Sequence, residues 1–382
     1  MIPYGRQHIT QADIDAVVEV LRSDFLTQGP AVPRFEATVA QQVGARHAVA
    51  MNSATSALHV ACLALGLGPG DVLWTVPTTF VASANCGRYC GADVDFVDID
   101  PDTWNISVTA LADRLSRARE SGRLPKIVVP VHLSGQPTEQ EAIWELSREF
   151  GFQVVEDASH GIGAARHGEP VGSCRWSHVT VFSFHPVKII TSGEGGMALT
   201  NDAEVAGRMA MLRTHGITRD ADRFETAAAG PWHYEQQSLG FNYRMTDIHA
   251  ALGSSQLARL REVVDRRNEI ARRYDAMLSG LPLQRPTVTA GNLSAFHLYV
   301  IRLRRGARNH RDVFEGLRAR NIGANLHYTP VHLQPYYRRL GFAPGYCPEA
   351  ERYADEAITL PLYPELSAEM QDSVVSALQE LL

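Results

Sequence analysis

Lys188 stands in the run Ser183-Phe-His-Pro-Val-Lys188, five residues before the turn Gly193-Glu-Gly-Gly196 and downstream of Val154-Val-Glu-Asp157, where an apolar run ends in a carboxylate. Val187, Ile189 and Ile190 surround the lysine with apolar neighbours. Desolvation there disfavours the ammonium and frees the amine to form a Schiff base with an aldehyde. Asp157, at the end of an expected strand, is suited to hold a protonated ring nitrogen. A lysine for an imine, an acid for a ring nitrogen and donors for a phosphate are together the requirements of a pyridoxal phosphate site. Each residue alone has a plainer reading: a single lysine is usually a solvated strand-edge charge, and a single aspartate a strand-end or N-cap carboxylate.

A second constellation is Met51-Asn-Ser-Ala-Thr-Ser-Ala57, where a strand gives way to a helical run over 57–65. Small residues let backbone N–H groups approach an anion, and the helix N-terminus adds a favourable dipole, so this turn is a candidate phosphate cradle. An ordinary Ser/Thr N-cap is the alternative. Gly161-Ile-Gly163 invites a dinucleotide reading and fails it, because Arg166 stands where the fingerprint needs its third glycine.

These groups need elements to position them. At 382 residues the chain exceeds the ~250–300 at which one core stops growing, so two lobes are expected. A net charge of −6 argues against a nucleic-acid partner. The five cysteines are odd in number and lack C-x-x-C spacing, which suggests neither a disulfide framework nor a metal site and fits a reducing cytoplasm. The N-terminus lacks a secretory apolar segment and no stretch approaches the ~18 apolar residues of a membrane span, so a soluble, cytoplasmic protein without a membrane partner is expected.

Thr10 is placed to cap a helix, with Asp13 completing a capping-box variant, and 22–31 reads as a loop. Between His47 and Leu212, β-rich runs over 48–51, 72–76, 94–97, 127–131, 154–156, 179–182 and 197–199 alternate with helical stretches. That alternation predicts an α/β sheet covered by helices on both faces, with ligands beyond the carboxyl ends of the strands. The polar stretch 217–239 is too long for a connector and is assigned to a site or an interface. Thr246 opens a long helical pattern with Gly253 as its internal weak point. The expected organisation is a large α/β lobe over 1–245, with its segment 1–30 near the site, a long connecting helix over 246–281, and a small α+β lobe over 282–382. The last holds a strand near 299–303, a helix near 312–319 and a terminal helix from about Ala368.

Taken in order, Asn52-Ser-Ala-Thr55, Pro77-Thr-Thr-Phe80, Glu156-Asp157, Ser183-Phe-His-Pro-Val-Lys188, Gly193-Glu-Gly-Gly196 and Gly240-Phe-Asn-Tyr-Arg-Met245 closely resemble the DegT/DnrJ/EryC1/StrS sugar aminotransferases over essentially the whole chain. The resemblance implies the type I aspartate-aminotransferase fold, with a mixed, mostly parallel sheet between helices in the large domain, and pyridoxal 5'-phosphate as cofactor, passing through pyridoxamine phosphate. Ile2-Pro-Tyr-Gly-Arg-Gln, Phe25-Leu-Thr-Gln-Gly29 and Leu326-His-Tyr-Thr-Pro330 look most like the pseudaminic-acid branch. That branch moves the amino group of L-glutamate to C4 of a UDP-linked 4-keto-6-deoxy-N-acetylhexosamine.

By this resemblance Lys188 is the Schiff-base lysine and general base, Asp157 the ring-nitrogen partner, and Phe80 the ring stacked on the cofactor. Ala54, Thr55 and Ser183 bind the phosphate; many relatives carry glycine where this chain has Ala54. His160 lies near the ring substituents, and Asn242 reaches the phosphate from the second subunit of a homodimer with shared sites. Tyr4, Thr27, His185, His327 and Tyr328 face the sugar nucleotide. Plainer readings are a structural histidine for His160, an apolar packing residue for Phe80 and a turn residue for Asn242. Arg213 is expected as an exposed helix-end arginine, a diphosphate or carboxylate contact being its alternative. Related C3-dehydrases carry histidine where this chain has Lys188, which argues for transamination. A non-catalytic regulator that binds the cofactor, another nucleotide-linked keto-sugar as substrate, and an unrelated α/β binding protein are the further alternatives.

Overall fold

The computed structural model describes residues 1–304 and 309–382. Two helices, α1 (Gln11–Leu21) and α2 (Ala31–Val43), lead into β1 (His47–Met51), α3 (Ala54–Ala64), β2 (Val72–Thr75), α4 (Ala82–Tyr89), β3 (Asp93–Phe96), α5 (Val108–Ser121), β4 (Ile127–Val129), α6 (Gln140–Phe150) and β5 (Gln153–Asp157). The two-residue strands β6 (Ala165–Arg166) and β7 (Glu169–Pro170) precede β8 (Val179–Ser183), β9 (Gly196–Thr200) and α7 (Ala203–Arg213).

The central sheet has seven strands in the order β1-β9-β8-β5-β4-β2-β3. From β8 to β3 all neighbours are parallel, while β9 runs antiparallel to both β8 and β1. Every strand expected between His47 and Leu212 lies in this sheet. β8 and β9 are buried at every residue. Strands covered on both faces need apolar side chains pointing both ways, which is why they read as unbroken apolar runs.

The sequence reading has no helix between the loop at 22–31 and His47, yet α2 fills that interval. Val32, Phe35, Val39 and Val43 recur at helical spacing and are buried, and Gly44 ends the helix at φ 79°. Its Pro33 falls in the first turn, where the missing N–H has no intrahelical acceptor to lose.

The polar stretch after α7 forms a small hairpin, β10 (Ile217–Thr218) with β11 (Glu235–Gln236), that leaves Trp232 71% and Leu239 82% exposed. The expected connecting helix is then two helices, α8 (Asp247–Leu257), capped by Thr246, and α9 (Leu260–Met277). The break falls at Ala258 and Arg259, not at Gly253. Its cause is tertiary: Ser255, Gln256 and Arg259 all donate to the buried Asp13 carboxylate of α1, which pins the end of α8. Gly253 is no weak point, because a Cβ there would stand 2.6 Å from the Phe35 ring; α2 and α8 approach closely only because it is glycine.

The remaining elements are β12 (Leu283–Gln284), β13 (Asn292–Leu293), β14 (Tyr299–Leu303), α10 (His310–Ala319), α11 (Pro335–Arg338), α12 (Pro348–Glu356), β15 (Ala357–Leu360) and α13 (Ala368–Leu381). β14 is central in the antiparallel sheet β12-β14-β15 and buried throughout. Its alternate residues serve two cores: Tyr299, Ile301 and Leu303 join the small-lobe cluster with α13, whereas Val300 packs into the large-lobe cluster. The N-terminal segment is tied to the C-terminal elements by Ile2 N–H to Asn321 O (2.8 Å) and Leu362 N–H to Tyr4 O (3.0 Å). Among the described residues no helix is long and apolar enough to cross a membrane.

Candidate active site

The register of the central sheet builds the floor of a cavity. Gly196, the first residue of β9, pairs with Met51 at the end of β1 and with Ser183 at the end of β8. A Cβ on Gly196 would stand 2.3 Å from the Ala54 nitrogen, so the start of α3 rests directly on this glycine. Ser53 caps α3 by accepting the Ser56 amide at 3.1 Å. The amides of Ala54 and Thr55 have no intrahelical partner by position, and none of the described residues accepts from them. Free amides at a helix N-terminus, with the hydroxyls of Thr55 and Ser183 facing the same space, suit a phosphate.

That space is a cavity of about 310 Å³ beyond the carboxyl ends of β1, β5 and β8. Asp157 ends β5 and is 4% exposed; its Oδ2 accepts from Ser83 Oγ at 2.6 Å and its Oδ1 from the Ser159 amide at 3.0 Å. Lys188 lies in the loop between β8 and β9. Bonds from Phe184 N to Gly195 O (2.9 Å) and Ser192 N to Phe184 O (3.0 Å) close this loop, and the buried Ile189 and Ile190 anchor it. Burial pushes the Lys188 ammonium down to about 8, against the pull of Asp157.

Burial lowers three of the cavity's histidines, His160, His297 and His327. Burial first, then repulsion from the protonated forms of Lys188 and His327, holds His160 well below its ordinary value. The Ser134 amide donates to its Nδ1 at 3.2 Å, so the ring proton sits on Nε2, 3.2 Å from the Tyr328 hydroxyl. With that oxygen accepting from His160, the Tyr328 proton is left to point elsewhere. Burial and Lys188 hold His327 at about 4, and its Nδ1 lies 2.8 Å from Thr359 Oγ1.

Of the residues singled out in the sequence, Tyr4, Ala54, Thr55, Phe80, Asp157, His160, Ser183, His185, Lys188, His327 and Tyr328 line this one cavity. Phe80 is 58% exposed, which sets aside the reading of an apolar packing residue. Thr27 and Asn242 do not line the cavity in this chain; they form isolated bridges with Thr246 and Thr214. Arg213 is neither exposed nor part of this cavity: its guanidinium donates to Glu36 Oε1 at 2.5 Å and to Ala50 O at 2.8 Å. A glycine of the failed dinucleotide motif has a packing role, since a Cβ on Gly163 would stand 2.7 Å from Val264 of α9.

Sequence reasoning passed over Ser53, Thr79, Glu194 and His297, which also line the cavity. Glu194 lay within the quoted Gly193-Glu-Gly-Gly196 and could have been found. His297 could not: it precedes β14 and packs tilted against the His160 ring, 4.3 Å between centroids, a contact with no local signature. A larger cleft of about 630 Å³ runs along β3, where the carboxylates of Asp93 and Asp95 are paired with Arg88, Arg114 and Arg123.

Residues 7–379 match the model of the DegT/DnrJ/EryC1/StrS aminotransferase family. The chain is 37% identical over its whole length to the spore coat polysaccharide biosynthesis protein SpsC of Bacillus subtilis, covering 97% of it. Among solved structures it is similar to PseC of Helicobacter pylori, an aminotransferase of pseudaminic acid biosynthesis, with a TM-score of 0.91 and 29% identity over 100% of this chain and 98% of that one. It is equally similar in fold to Spr1654 of Streptococcus pneumoniae, a candidate sugar aminotransferase solved in PLP and PMP forms; the PMP form gives a TM-score of 0.91 and 30% identity, with both chains fully covered. A lysine, a buried acid and an anion cradle in one cavity fit the cofactor of these relatives. The chain belongs to the DegT/DnrJ/EryC1/StrS aminotransferase family and is a pyridoxal-phosphate-dependent sugar aminotransferase.

Proposed function

We propose that the protein transfers the amino group of L-glutamate to C4 of a UDP-linked 4-keto-6-deoxy-N-acetylhexosamine, UDP-2-acetamido-2,6-dideoxy-β-L-arabino-hex-4-ulose, giving UDP-4-amino-4,6-dideoxy-N-acetyl-β-L-altrosamine for pseudaminic acid. The observation that carries the transamination is the pairing of Lys188 and Asp157 in one cavity with the free N-terminus of α3. Support for the sugar comes from the resemblance of the N-terminal and 326–330 segments to the pseudaminic-acid branch and from the likeness to PseC.

When bound, pyridoxal phosphate supplies an aldehyde and an electron-accepting ring. The Ala54 and Thr55 amides with the Thr55 and Ser183 hydroxyls would hold its phosphate, with Phe80 beside the cofactor. Asp157 would hold a proton on the ring nitrogen. Lys188 is half-buried, and its amine is neutral for a large fraction of the time near pH 8. It takes the proton from Cα of glutamate and returns one to C4 of the sugar. The Tyr328 hydroxyl, accepting from His160 Nε2–H, is left to donate to a polar group of the substrate, and Tyr4, His185 and His327 form the sugar-nucleotide side.

The active assembly is a cytoplasmic homodimer in which Asn242 of a second copy reaches the phosphate. Exposed Trp232 and Leu239 give that copy apolar side chains to cover.

A second reading, a different nucleotide-linked keto-sugar, is favoured by the identity to SpsC, which exceeds that to PseC. Incubation with glutamate and each C5 epimer of the UDP-4-keto sugar, followed by product assignment from NMR coupling constants, tests both. Amination of the β-L-arabino ketone is expected; turnover with only another keto-sugar selects the second reading. Cofactor binding without release of 2-oxoglutarate would instead make the protein a regulator.

A further inference from the structure

In the wall of the cavity, three side chains form a chain that ends on Asp157. Ser83 Oγ lies 2.6 Å from Asp157 Oδ2, and Thr79 Oγ1 lies 2.7 Å from Ser83 Oγ. All three residues are buried. The direction of the bonds follows from their chemistry. An ionised carboxylate only accepts, so Ser83 commits its one proton to Asp157, and the Ser83 oxygen accepts from Thr79. Ser83 lies in the first turn of α4, immediately after the Pro77-Thr-Thr-Phe80 segment that brings Phe80 to the cavity.

A buried carboxylate facing a pyridine nitrogen can share one proton in two ways. The proton on nitrogen makes an ion pair; the proton on oxygen makes a neutral pair. Burial favours the neutral pair, because desolvation penalises both charges. A hydroxyl donating to the carboxylate favours the ion pair, because its bond is strongest to the charged form. We propose that Ser83, backed by Thr79, is a positioning residue that keeps Asp157 ionised and oriented so that the proton resides on the ring nitrogen of the cofactor. The inference rests on the reading of Asp157 given above and adds to it what holds the acid in its working state.

The test uses the full-length enzyme loaded with pyridoxal phosphate carrying ¹⁵N at the ring position. It reads the nitrogen chemical shift across pH together with the rate of the glutamate half-reaction. In Ser83→Ala the signal moves toward the unprotonated position and the rate falls about tenfold to a hundredfold, the effect of losing a donor to a charged group. Ser83→Thr, which keeps the hydroxyl, restores both. Thr79→Val shifts the signal the same way by less. A Ser83→Ala enzyme that is slow but has an unmoved nitrogen signal overturns the proposal; if that variant does not fold, an unmoved signal in Thr79→Val does so. Asp157→Asn separates the two levels. No shift there removes Asp157 from the ring nitrogen, whereas a shift there with none in Ser83→Ala discards the role of Ser83 alone.

Discussion

Replacing Gly196 by alanine tests how the anion cradle is built. The new Cβ would stand 2.3 Å from the Ala54 nitrogen, 2.4 Å from the Ser53 carbonyl carbon and 2.5 Å from Ala54 Cα, where ordinary contact begins at 3.4 Å. Relief requires a shift of about 1 Å, and overpacking of this kind costs about 1–3 kcal/mol. β9 is held on both edges by β1 and β8, so the start of α3 is the part that yields. Moved by that much, the Ala54 and Thr55 amides lose contact with a phosphate held elsewhere by Ser183. One lost bond to a charged group weakens binding about tenfold to a hundredfold.

Gly195→Ala is the internal control. Its Cβ would come equally close, 2.3 Å from Ser192 Oγ and 2.6 Å from Met245 Cε, but these are side-chain ends, not backbone, and turning Ser192 costs its bond to Glu194 O (2.7 Å) without moving α3. Titration of the apoenzymes with pyridoxal phosphate, followed by absorbance, gives the Kd of each, and urea unfolding gives their stability. Gly196→Ala is expected to lose at least about tenfold in affinity, with Gly195→Ala staying close to the unsubstituted protein. Unchanged affinity in Gly196→Ala would refute the reasoning that the glycine sets the position of α3.

Lys188→Ala should abolish turnover even with cofactor supplied in excess, and mass spectrometry after borohydride treatment should find no covalent adduct; glutamate-dependent product from this variant would remove the lysine from the mechanism. Because only the neutral amine attacks an aldehyde and burial lowers Lys188 to about 8 from an ordinary 10.5, capture of pyridoxal phosphate by the apoenzyme should accelerate with rising pH and level off above about 8. Stopped-flow absorbance checks this, and a rate still climbing toward 10.5 contradicts it. Burial alone would raise the Asp13 carboxyl, but bonds from Ser255, Thr10 and Gln256 outweigh it and hold the group below its ordinary 3.8. A depressed folded value means that the stabilisation is present above 3.8 and lost as pH falls through the folded value. Asp13→Ala should therefore cost about 3 kcal/mol near neutrality, and in urea melts its difference from the unsubstituted protein should shrink below pH 3.8; a pH-independent difference would show that the carboxylate charge is not what matters.

Asp157 was legible because it ends an apolar run that reads as a covered strand, and Lys188 because it lies among apolar residues in the loop that follows another such run; the ends of these strands converge in an α/β sheet. The start of α3 was legible for the same reason, with small residues marking the turn. Ser83 was not, since a serine in the first turn of a helix looks like any other until Asp157 is seen 2.6 Å away. Phe80, expected at the cofactor site, lines the cavity, whereas Arg213 marks an error of the local reading. The aromatic residue proved exposed at the cavity, and the arginine expected in solvent proved paired with Glu36, a partner 177 positions away.

The sequence by itself determined the seven strands of the sheet, the ends at which chemistry gathers and the residue types offered there, because strand burial, helix capping and lysine desolvation act over a few neighbouring residues. Tertiary structure alone decided where the spine breaks, why Gly253 and Gly196 must lack side chains, and which distant histidine packs against His160. Those outcomes depend on contacts between segments far apart in the chain, such as Arg259 with Asp13 across 246 positions, and local physics carries no record of what will be brought opposite a residue when the lobes close.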